Sequence, residues 1–200
     1  MGKLPLEGIR VLDMTVVLQP YGPLHLGDYG AEVIRVESLN FFPLGSRGQS
    51  AHPTKESLGQ GASSFPDGEP GLRPWNRVAG FNCHARNKYS MTLDVTTPEG
   101  KDAFRKLVEV SDLFIQNSAY GAMERLGFTN DALSQWNPRL SMIAISGPGQ
   151  TGPWKDFLTS DLVHLAAGGQ MGCCGYDTGE VPGDIPIAPG GGNAWHTGSH

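Results

Sequence analysis

The sequence predicts an α/β fold, in which helices flank an open, Rossmann-like parallel sheet, and three observations lead to this expectation. Four short runs are rich in Leu or β-branched residues, and each is too short for an ordinary helix. Polar and apolar residues do not alternate strictly in them, which is typical of strands buried on both faces. Helical patterns separate the runs, as in repeated strand–helix–strand units. The predicted strands are Ile9–Met14, Glu32–Glu37, Asp112–Gln116 and Leu140–Ser146.

The predicted helices begin and end at residues that are typical of helix termini. Thr97 stands where an N-cap is expected, Pro98 falls in the first turn, and apolar residues then recur at mostly helical spacing up to Val110. A shorter helix is expected over residues 20–29, ended by Gly30 in a left-handed conformation. Further short helices are expected over residues 130–135 and 161–171.

The segments that follow the predicted strands are the expected ligand-binding region. Ligands of open α/β sheets bind beyond the carboxyl ends of the strands, and here these ends lead into residues 14–20, 37–39, 117–120 and 147–153. Residues 40–80 have a different character, because much of this stretch is rich in Gly, Ser and Pro without any periodicity. They are expected to form a long loop or insertion.

Composition excludes several classes of function. The 200 residues suit one domain, the net charge is −5, and Lys and Arg form no block, which argues against a nucleic-acid or anionic-membrane partner. No run approaches 18 apolar residues, so no membrane span is expected. The three cysteines fit neither a disulfide framework nor a zinc pair, which favours a reduced, cytoplasmic compartment. His196 and His200 have helical spacing but no third ligand, so no metal site is expected.

Residues 147–152 have the glycine spacing of a dinucleotide-binding fingerprint, and they follow a predicted strand. In that fingerprint a helix begins directly after the glycines, so that its N-terminus meets the pyrophosphate. Pro153 and Trp154 follow here instead, and the next long helical pattern starts only near Asp161. A loop whose backbone approaches a different ligand is therefore favoured, and nucleotide binding is the alternative.

Four segments occur in an order that is more specific than any one of them. They read Pro-Leu-Glu-Gly-Ile-Arg-Val-Leu-Asp from Pro5, Gly-Ala-Glu-Val-Ile-Arg-Val-Glu from Gly30, Arg-Asn-Lys-Tyr-Ser-Met-Thr-Leu-Asp from Arg86 and Ser-Gly-Pro-Gly-Gln-Thr-Gly-Pro from Ser146. Together they resemble the class III coenzyme A transferases, a family that includes carnitine CoA-transferase, formyl-CoA transferase and α-methylacyl-CoA racemase. The resemblance implies that residues 1–200 form the N-terminal part of the large, CoA-binding domain, with the C-terminal remainder of the family fold absent.

The resemblance also implies a nucleophile. Asp161 follows the glycine loop and precedes an apolar helical pattern, which by itself indicates an ordinary acid at a helix start. In the resembled family, the acid at this place attacks the thioester of an acyl-CoA and carries CoA as an aspartyl thioester. Gln19 is the second catalytic residue that the resemblance implies, because it lies in a segment resembling the loop that relatives use beside the thioester, although this loop is one residue shorter here.

Coenzyme A requires cations for its phosphates and an apolar surface for its adenine and pantetheine groups. The resemblance places Val17 and Leu18 beside Gln19 at the thioester, and Ser146 and Gly147 at the start of the glycine loop. It makes Arg86, Lys88 and Arg125 the expected cations, since Arg and Lys both bind phosphate. Residues 117–125 resemble a CoA-contacting segment through Asn117, Gly121 and Arg125, whereas Ser118 replaces the usual Phe. Arg47 is a candidate for the basic residues that relatives carry after Glu37.

The implied activity is transfer of coenzyme A from an acyl-CoA donor to a carboxylic acid acceptor, with no permanently bound cofactor. Racemisation or isomerisation of an acyl-CoA is the alternative within the family, and it requires two acid/base groups at the α-carbon. Ser160 stands where a His would favour that chemistry. A catalytically inactive CoA-binding or dimerisation fragment is the alternative outside the enzyme class. The full-length form is expected to be a homodimer, as in the resembled family.

Overall fold

The computed structural model describes residues 3–16, 21–38, 47, 52–58, 65–157, 163, 166–169, 175–176 and 185–186. Five strands form the main sheet, namely β1 (Arg10–Met14), β2 (Glu32–Glu37), β3 (Lys88–Thr92), β4 (Leu113–Gln116) and β5 (Ser141–Ala144). A separate two-residue pair consists of β6 (Gly175–Tyr176) and β7 (Ile185–Pro186). The helices are α1 (Tyr21–Asp28), α2 (Lys55–Leu58), α3 (Ala79–His84), α4 (Pro98–Glu109), α5 (Ala122–Leu126) and α6 (Asn130–Trp136).

The five strands of the main sheet are all parallel and lie in the order β3-β2-β1-β4-β5. The α/β prediction is therefore confirmed, and so are the four strands that the apolar runs indicated. Strand β3 was missed, because its sequence Lys-Tyr-Ser-Met-Thr is largely polar. Its place at the edge of the sheet explains this composition, since Tyr89 and Ser90 lie exposed there.

The larger hydrophobic core fills one face of the sheet, beneath α4, α5 and α6. Phe104 of α4 lies at its centre, with its ring centroid 5.5 Å from that of Phe114 and 4.5 Å from that of Phe128. Residues from the sheet and from all three helices are buried together in this core, which comprises Leu12, Val95, Phe104, Val108, Phe114, Met123, Phe128 and Leu133. Burial of these apolar side chains supplies most of the free energy that stabilises the packing of the helices on the sheet.

The opposite face of the sheet carries a smaller apolar cluster formed by Val11, Ala31, Val33 and Ile115. Leu26 of α1 packs against this cluster. Helix α1 ends as expected, because Gly30 has φ = +101°. A side chain at Gly30 would place its Cβ only 2.6 Å from the Cβ of Leu4, so this turn requires glycine for space as well as for conformation.

Residues 52–58 and 65–80, within the aperiodic stretch, contain short helices of their own, the last of which continues to His84. Besides α2 and α3, 3₁₀ turns occur at Pro66–Gly68 and Pro74–Asn76. Phe65, Val78 and Phe81 are buried together and form a third apolar cluster. The sequence pattern did not indicate this, because three contacting residues scattered over 17 positions produce no periodic signal.

Helix α4 begins with the predicted cap, since the Thr97 hydroxyl accepts a 3.0 Å hydrogen bond from the Gly100 amide. We expect Thr97→Ala to lower the free energy of unfolding by about 1 kcal/mol, because one of the unpaired amides at the helix start would lose its partner. Urea unfolding followed by circular dichroism measures this change. Thr97→Ser keeps the hydroxyl and should retain most of the stability, and an equal loss in both variants would contradict the capping role.

Candidate functional site

The carboxyl ends of the five parallel strands lie at the same end of the sheet, and several polar side chains lie there. Asp13 ends the buried part of β1 and is 0% exposed, and Gln116 at the end of β4 is 3% exposed. Thr15 lies two positions after Asp13, and its amide and hydroxyl both donate to one carboxylate oxygen of Asp13. A buried carboxylate needs such donors, because leaving it unpaired away from water is costly.

The other carboxylate oxygen of Asp13 accepts a 2.9 Å hydrogen bond from the Lys88 ammonium. Both side chains are buried, with 0% and 1% of their surface exposed. Arg35 of β2 adds a second, longer contact, 3.9 Å from the same oxygen. Burial lowers the pKa of Lys88 below its usual value, and the nearby Asp13 carboxylate opposes this effect without cancelling it. Three strands are thus joined by one buried charge cluster.

Glu37 at the end of β2 extends this cluster towards the surface. It accepts hydrogen bonds from Arg35 at 3.1 Å and from Arg47 at 2.7 Å. Burial opposes ionisation of Glu37, but the Arg47 hydrogen bond, the charges of both arginines and a hydrogen bond from Ser90 outweigh it, so the pKa of Glu37 lies below its usual value. Arg47 therefore lies beside Glu37, where the sequence made it a candidate cation.

A cavity of about 310 Å³ opens beside β3 and is lined by cationic side chains. Arg35 and Arg47 also lie over the ring of Phe81, at 5.7 and 3.9 Å from its centroid. The lining residues are Arg35, Arg47, Phe81, Asn82, Ala85, Arg86, Lys88, Tyr89 and Ser90. The structure thus brings together three predicted cations, Arg47, Arg86 and Lys88. It adds Arg35, whose only signal in the sequence is a charge within an otherwise apolar strand.

Arg86 and Lys88 differ in burial and in the ion pairs that they form within the protein. Lys88 begins β3, and its ammonium reaches across the sheet to Asp13. Arg86 is about half exposed and pairs with Asp28 at 2.7 Å, while Asn87 donates to the other oxygen of Asp28. The hydrogen bond from Arg86 holds the pKa of Asp28 below its usual value. The contact of Arg86 and Lys88 with phosphate stays a prediction.

Asn117 connects the end of β4 to the segment that follows β1. Its side-chain oxygen accepts a 2.7 Å hydrogen bond from the Val16 amide, and its side-chain nitrogen donates to the Val16 carbonyl at 3.0 Å. This pair of bonds fixes Val16, where the predicted thioester loop begins. Val17, Leu18 and Gln19, which belong to that loop, lie outside the described residues.

The segment after β4 places three further predicted residues close together. The Ser118 amide donates to the Gln116 side chain at 2.6 Å, and Gly121 adopts φ = +75° at the start of α5. A Cβ on Gly121 would lie 3.2 Å from a guanidinium nitrogen of Arg125, which therefore folds back over this glycine. Glycine at this position gives Arg125 its place next to the loop.

Ser146 and Gly147 follow β5, the neighbour of β4, so they leave the same edge of the sheet. The Ser146 hydroxyl oxygen is buried and has no hydrogen-bond partner among the residues that the structure describes. Buried polar atoms without partners are rare in folded proteins, and a ligand group is one way to satisfy them. Gly147 is exposed at the start of the glycine loop.

The predicted site residues therefore form two groups. One lines the cavity beside β3, and the other lies after β4 and β5. Neighbouring strands lie about 4.8 Å apart, so β3 and β4, three places apart in the sheet, are separated by about 14 Å. Asp161, the predicted nucleophile, lies outside the described residues, as does most of the helix expected over residues 161–171.

Two further findings concern the described part of the chain. No group of three or more His, Cys, Asp or Glu side chains is placed there to hold a metal ion. None of its helices has the length and apolar character needed to cross a membrane.

Solved structures with this fold include Rv3272 from Mycobacterium tuberculosis, which is 28% identical and superposes with a TM-score of 0.71 over 100% of this chain and 50% of that protein. A CAIB/BAIF family protein from Brucella suis is also 28% identical, with a TM-score of 0.71 over 93% of this chain and 44% of that protein.

Curated relatives are CoA-transferases by name. The beta subunit of succinyl-CoA–L-malate CoA-transferase from Chloroflexus aurantiacus is 33% identical over 188 residues, which are 94% of this chain and 40% of that subunit. Formyl-CoA:oxalate CoA-transferase from Streptomyces avermitilis is 35% identical over 189 residues, or 92% of this chain and 39% of that enzyme. The chain thus spans about two fifths of the length of these relatives. A family model for CoA-transferase family III matches residues 6–200, and the chain therefore belongs to this family.

Proposed function

We propose that this chain binds an acyl-CoA and takes part in moving coenzyme A from that donor to a carboxylic acid. The observation that carries the proposal is the family match over residues 6–200, which agrees with the order of the motifs along the chain. The wider proposal is a cytoplasmic homodimer in the full-length form, with acyl-CoA as substrate and no permanently bound cofactor.

The geometry of the described residues supports binding of an elongated, anionic ligand. Arg125 of α5 lies after β4, the buried Ser146 hydroxyl lies after β5, and the cationic cavity opens beside β3, which is about 14 Å from β4 across the sheet. Coenzyme A has phosphates at one end and a thiol at the other, so one molecule is long enough to contact separated groups. Because Arg binds phosphate through a planar fork, Arg86 and Arg125 are the expected phosphate contacts.

In the proposed reaction, the Asp161 carboxylate attacks the thioester carbonyl of the donor. The carbon–sulfur bond breaks, an acyl–aspartyl anhydride forms, and CoA leaves as a thiolate. The thiolate then attacks the aspartyl carbonyl of the anhydride, which releases the donor acid as a carboxylate and leaves CoA on Asp161 as a thioester. The acceptor carboxylate takes CoA by the same steps in reverse. A carboxylate is a weak nucleophile, so covalent catalysis here divides one transfer into smaller steps.

Each of these steps passes through an oxyanion, which amide hydrogen bonds stabilise. The loop that contains Gln19 is the proposed source of such amides. Asn117 supports this role indirectly, because its two hydrogen bonds to Val16 fix the residue where that loop begins. A preorganised donor is more effective than a mobile one, since no reorganisation is required when charge develops.

The test is the covalent intermediate itself. We expect the chain incubated with succinyl-CoA to release succinate and to gain the mass of CoA less one water through an aspartyl thioester, measured by intact-protein mass spectrometry. Asp161→Ala should abolish this adduct and keep the affinity for CoA in equilibrium dialysis. Asp156→Ala is the matched control, because Asp156 is an exposed acid five positions earlier in the chain, and this variant should still form the adduct.

An adduct that persists in Asp161→Ala would contradict the assigned nucleophile. Binding of CoA by the unaltered chain without any adduct would contradict the transferase step and favour the binding-module alternative. Racemisation has its own signature, which is exchange of the α-hydrogen of an acyl-CoA in D₂O. The transferase mechanism has no step at the α-carbon, so this exchange should be absent.

A further inference from the structure

Arg47 joins the ends of strands β2 and β3 to the second 3₁₀ turn of the aperiodic stretch. Its Nε atom and one Nη atom donate to the two carboxylate oxygens of Glu37, the Nε bond being 2.7 Å long. The same Nη atom donates to the Ser90 hydroxyl of β3 at 3.3 Å. The other Nη atom donates to the Asn76 side-chain oxygen at 3.0 Å and to the Trp75 carbonyl at 3.4 Å. These five bonds use every N–H group of the guanidinium.

The flat face of the same guanidinium is covered by an aromatic ring. The central carbon of the Arg47 guanidinium lies 3.9 Å from the centre of the Phe81 ring, and a cation in this position is attracted to the ring. Phe81 belongs to α3 and is buried with Phe65 and Val78 in the third apolar cluster. Only 16% of the Arg47 side chain is exposed. Arg47 therefore fastens this apolar cluster to the charged residues at the end of the sheet.

The cavity of about 310 Å³ beside β3 takes its lining from the two parts that Arg47 joins. Strands β2 and β3 contribute Arg35 and residues 88–90, and α3 contributes Phe81 and Asn82. Arg47 also lines the cavity, and it contacts both of these walls. A residue that is bonded to two walls of a cavity sets the distance between them.

We propose that Arg47 is a positioning residue, which sets the width of this cavity and makes no contact of its own with a bound phosphate. All five of its donors are bound to protein partners, so a phosphate would reach it only by displacing Glu37, Ser90 or the 3₁₀ turn. This role differs from that of the ligand cation that the sequence indicated. The inference rests on the proposed function for the identity of the ligand, coenzyme A, whereas the anchoring of α3 does not.

Hydrogen exchange without ligand and calorimetric titration with CoA test the proposal on Arg47→Lys. Lysine keeps the charge, but its three donors lie on one nitrogen and do not reproduce the planar fork. We expect the amides of α3 to exchange roughly tenfold faster, because hydrogen bonds from a charged group are lost locally. The affinity for CoA should fall roughly three- to tenfold, since only the anchored fraction binds. Arg73→Lys is the matched control, because Arg73 is an exposed arginine in the same stretch, and it should change neither value.

Asn76→Ala is the second variant, because Asn76 is exposed and is not among the residues that line the cavity. It removes one acceptor of Arg47, so exchange in α3 and affinity for CoA should change in the same direction as in Arg47→Lys. Adding it to Arg47→Lys should cause little further change, since both variants break one contact. A direct phosphate contact predicts the opposite pattern, in which Arg47→Lys keeps most of the affinity and Asn76→Ala keeps all of it.

The outcomes separate this role from the proposed function. Unchanged exchange in α3 of Arg47→Lys overturns the anchor, and faster exchange with unchanged affinity for CoA overturns the positioning role. In both cases the proposed function stands if the unaltered chain binds CoA. Exchange that also rises throughout β1 and β4 indicates a general loss of stability and contradicts the proposal. If the unaltered chain does not bind CoA, the proposed function and the positioning role for CoA both fail, and the exchange data alone decide the anchor.

Discussion

Replacing Lys88 by Met is expected to lower the free energy of unfolding by about 3 kcal/mol. The variant leaves the Asp13 carboxylate, which is 0% exposed, without the ammonium that lies 2.9 Å away. Breaking a buried ion pair from one side typically costs about 3–5 kcal/mol, because a buried charge is left uncompensated. The loss of stability should lie at the lower end of this range, because Thr15 still donates two hydrogen bonds to Asp13. The Arg35 guanidinium also remains 3.9 Å from the Asp13 carboxylate.

Chemical denaturation of the chain and a double-mutant cycle with Asp13→Asn measure this effect. The double variant removes both charges, so it should be less destabilised than the sum of the two single variants by about 1–3 kcal/mol. Lys106→Met is the matched control, because Lys106 contacts Asp102 on the exposed surface of α4. That change should lie within about 0.5–1 kcal/mol of the unaltered chain. Simple additivity in the cycle would contradict the buried pair.

The second large effect is expected for Phe104→Ala, which should cost about 3–5 kcal/mol. Phe104 is 0% exposed and packs between Phe114 and Phe128 in the larger core. Truncation loses the transfer free energy of the ring and leaves a cavity between two rigid elements, α4 and the sheet, which do not collapse fully into it.

Thermal and urea unfolding, followed by circular dichroism, test this expectation. Phe157→Ala removes the same atoms from a residue that is 60% exposed, so it should change the stability by no more than about 0.5 kcal/mol. A small loss of stability in Phe104→Ala, comparable with that of Phe157→Ala, would contradict the packing of Phe104 of α4 in the core. The comparison isolates burial from the chemistry of the ring.

The sequence predicted much of the sheet, for a local reason. Strands β1, β2, β4 and β5 are recognisable because short runs such as Val11–Asp13 and Leu113–Gln116 are largely apolar on both faces. The cap of α4 is equally local, since Thr97 contacts an amide only three residues away. Strand β3 was missed because its polar residues reflect an edge position, which depends on its pairing with β2 and not on its own pattern.

Within the site, residue types were predictable and partners were not. The motifs named Arg86, Lys88 and Asn117 as candidate ligands of coenzyme A. In the structure their side chains contact Asp28, Asp13 and Val16, which lie 58, 75 and 101 positions away in the chain. No periodicity over a short window contains such information.

The sequence by itself thus determined the fold class, the family resemblance and the edge of the sheet where a ligand is expected. These follow from local apolar patterning and from the order of the motifs. Only the tertiary structure decided which charges are buried in pairs, and that Arg47 joins α3 to the ends of β2 and β3. The physical reason is that ion pairing and stacking depend on distances in space, which the parallel pairing of distant strands sets.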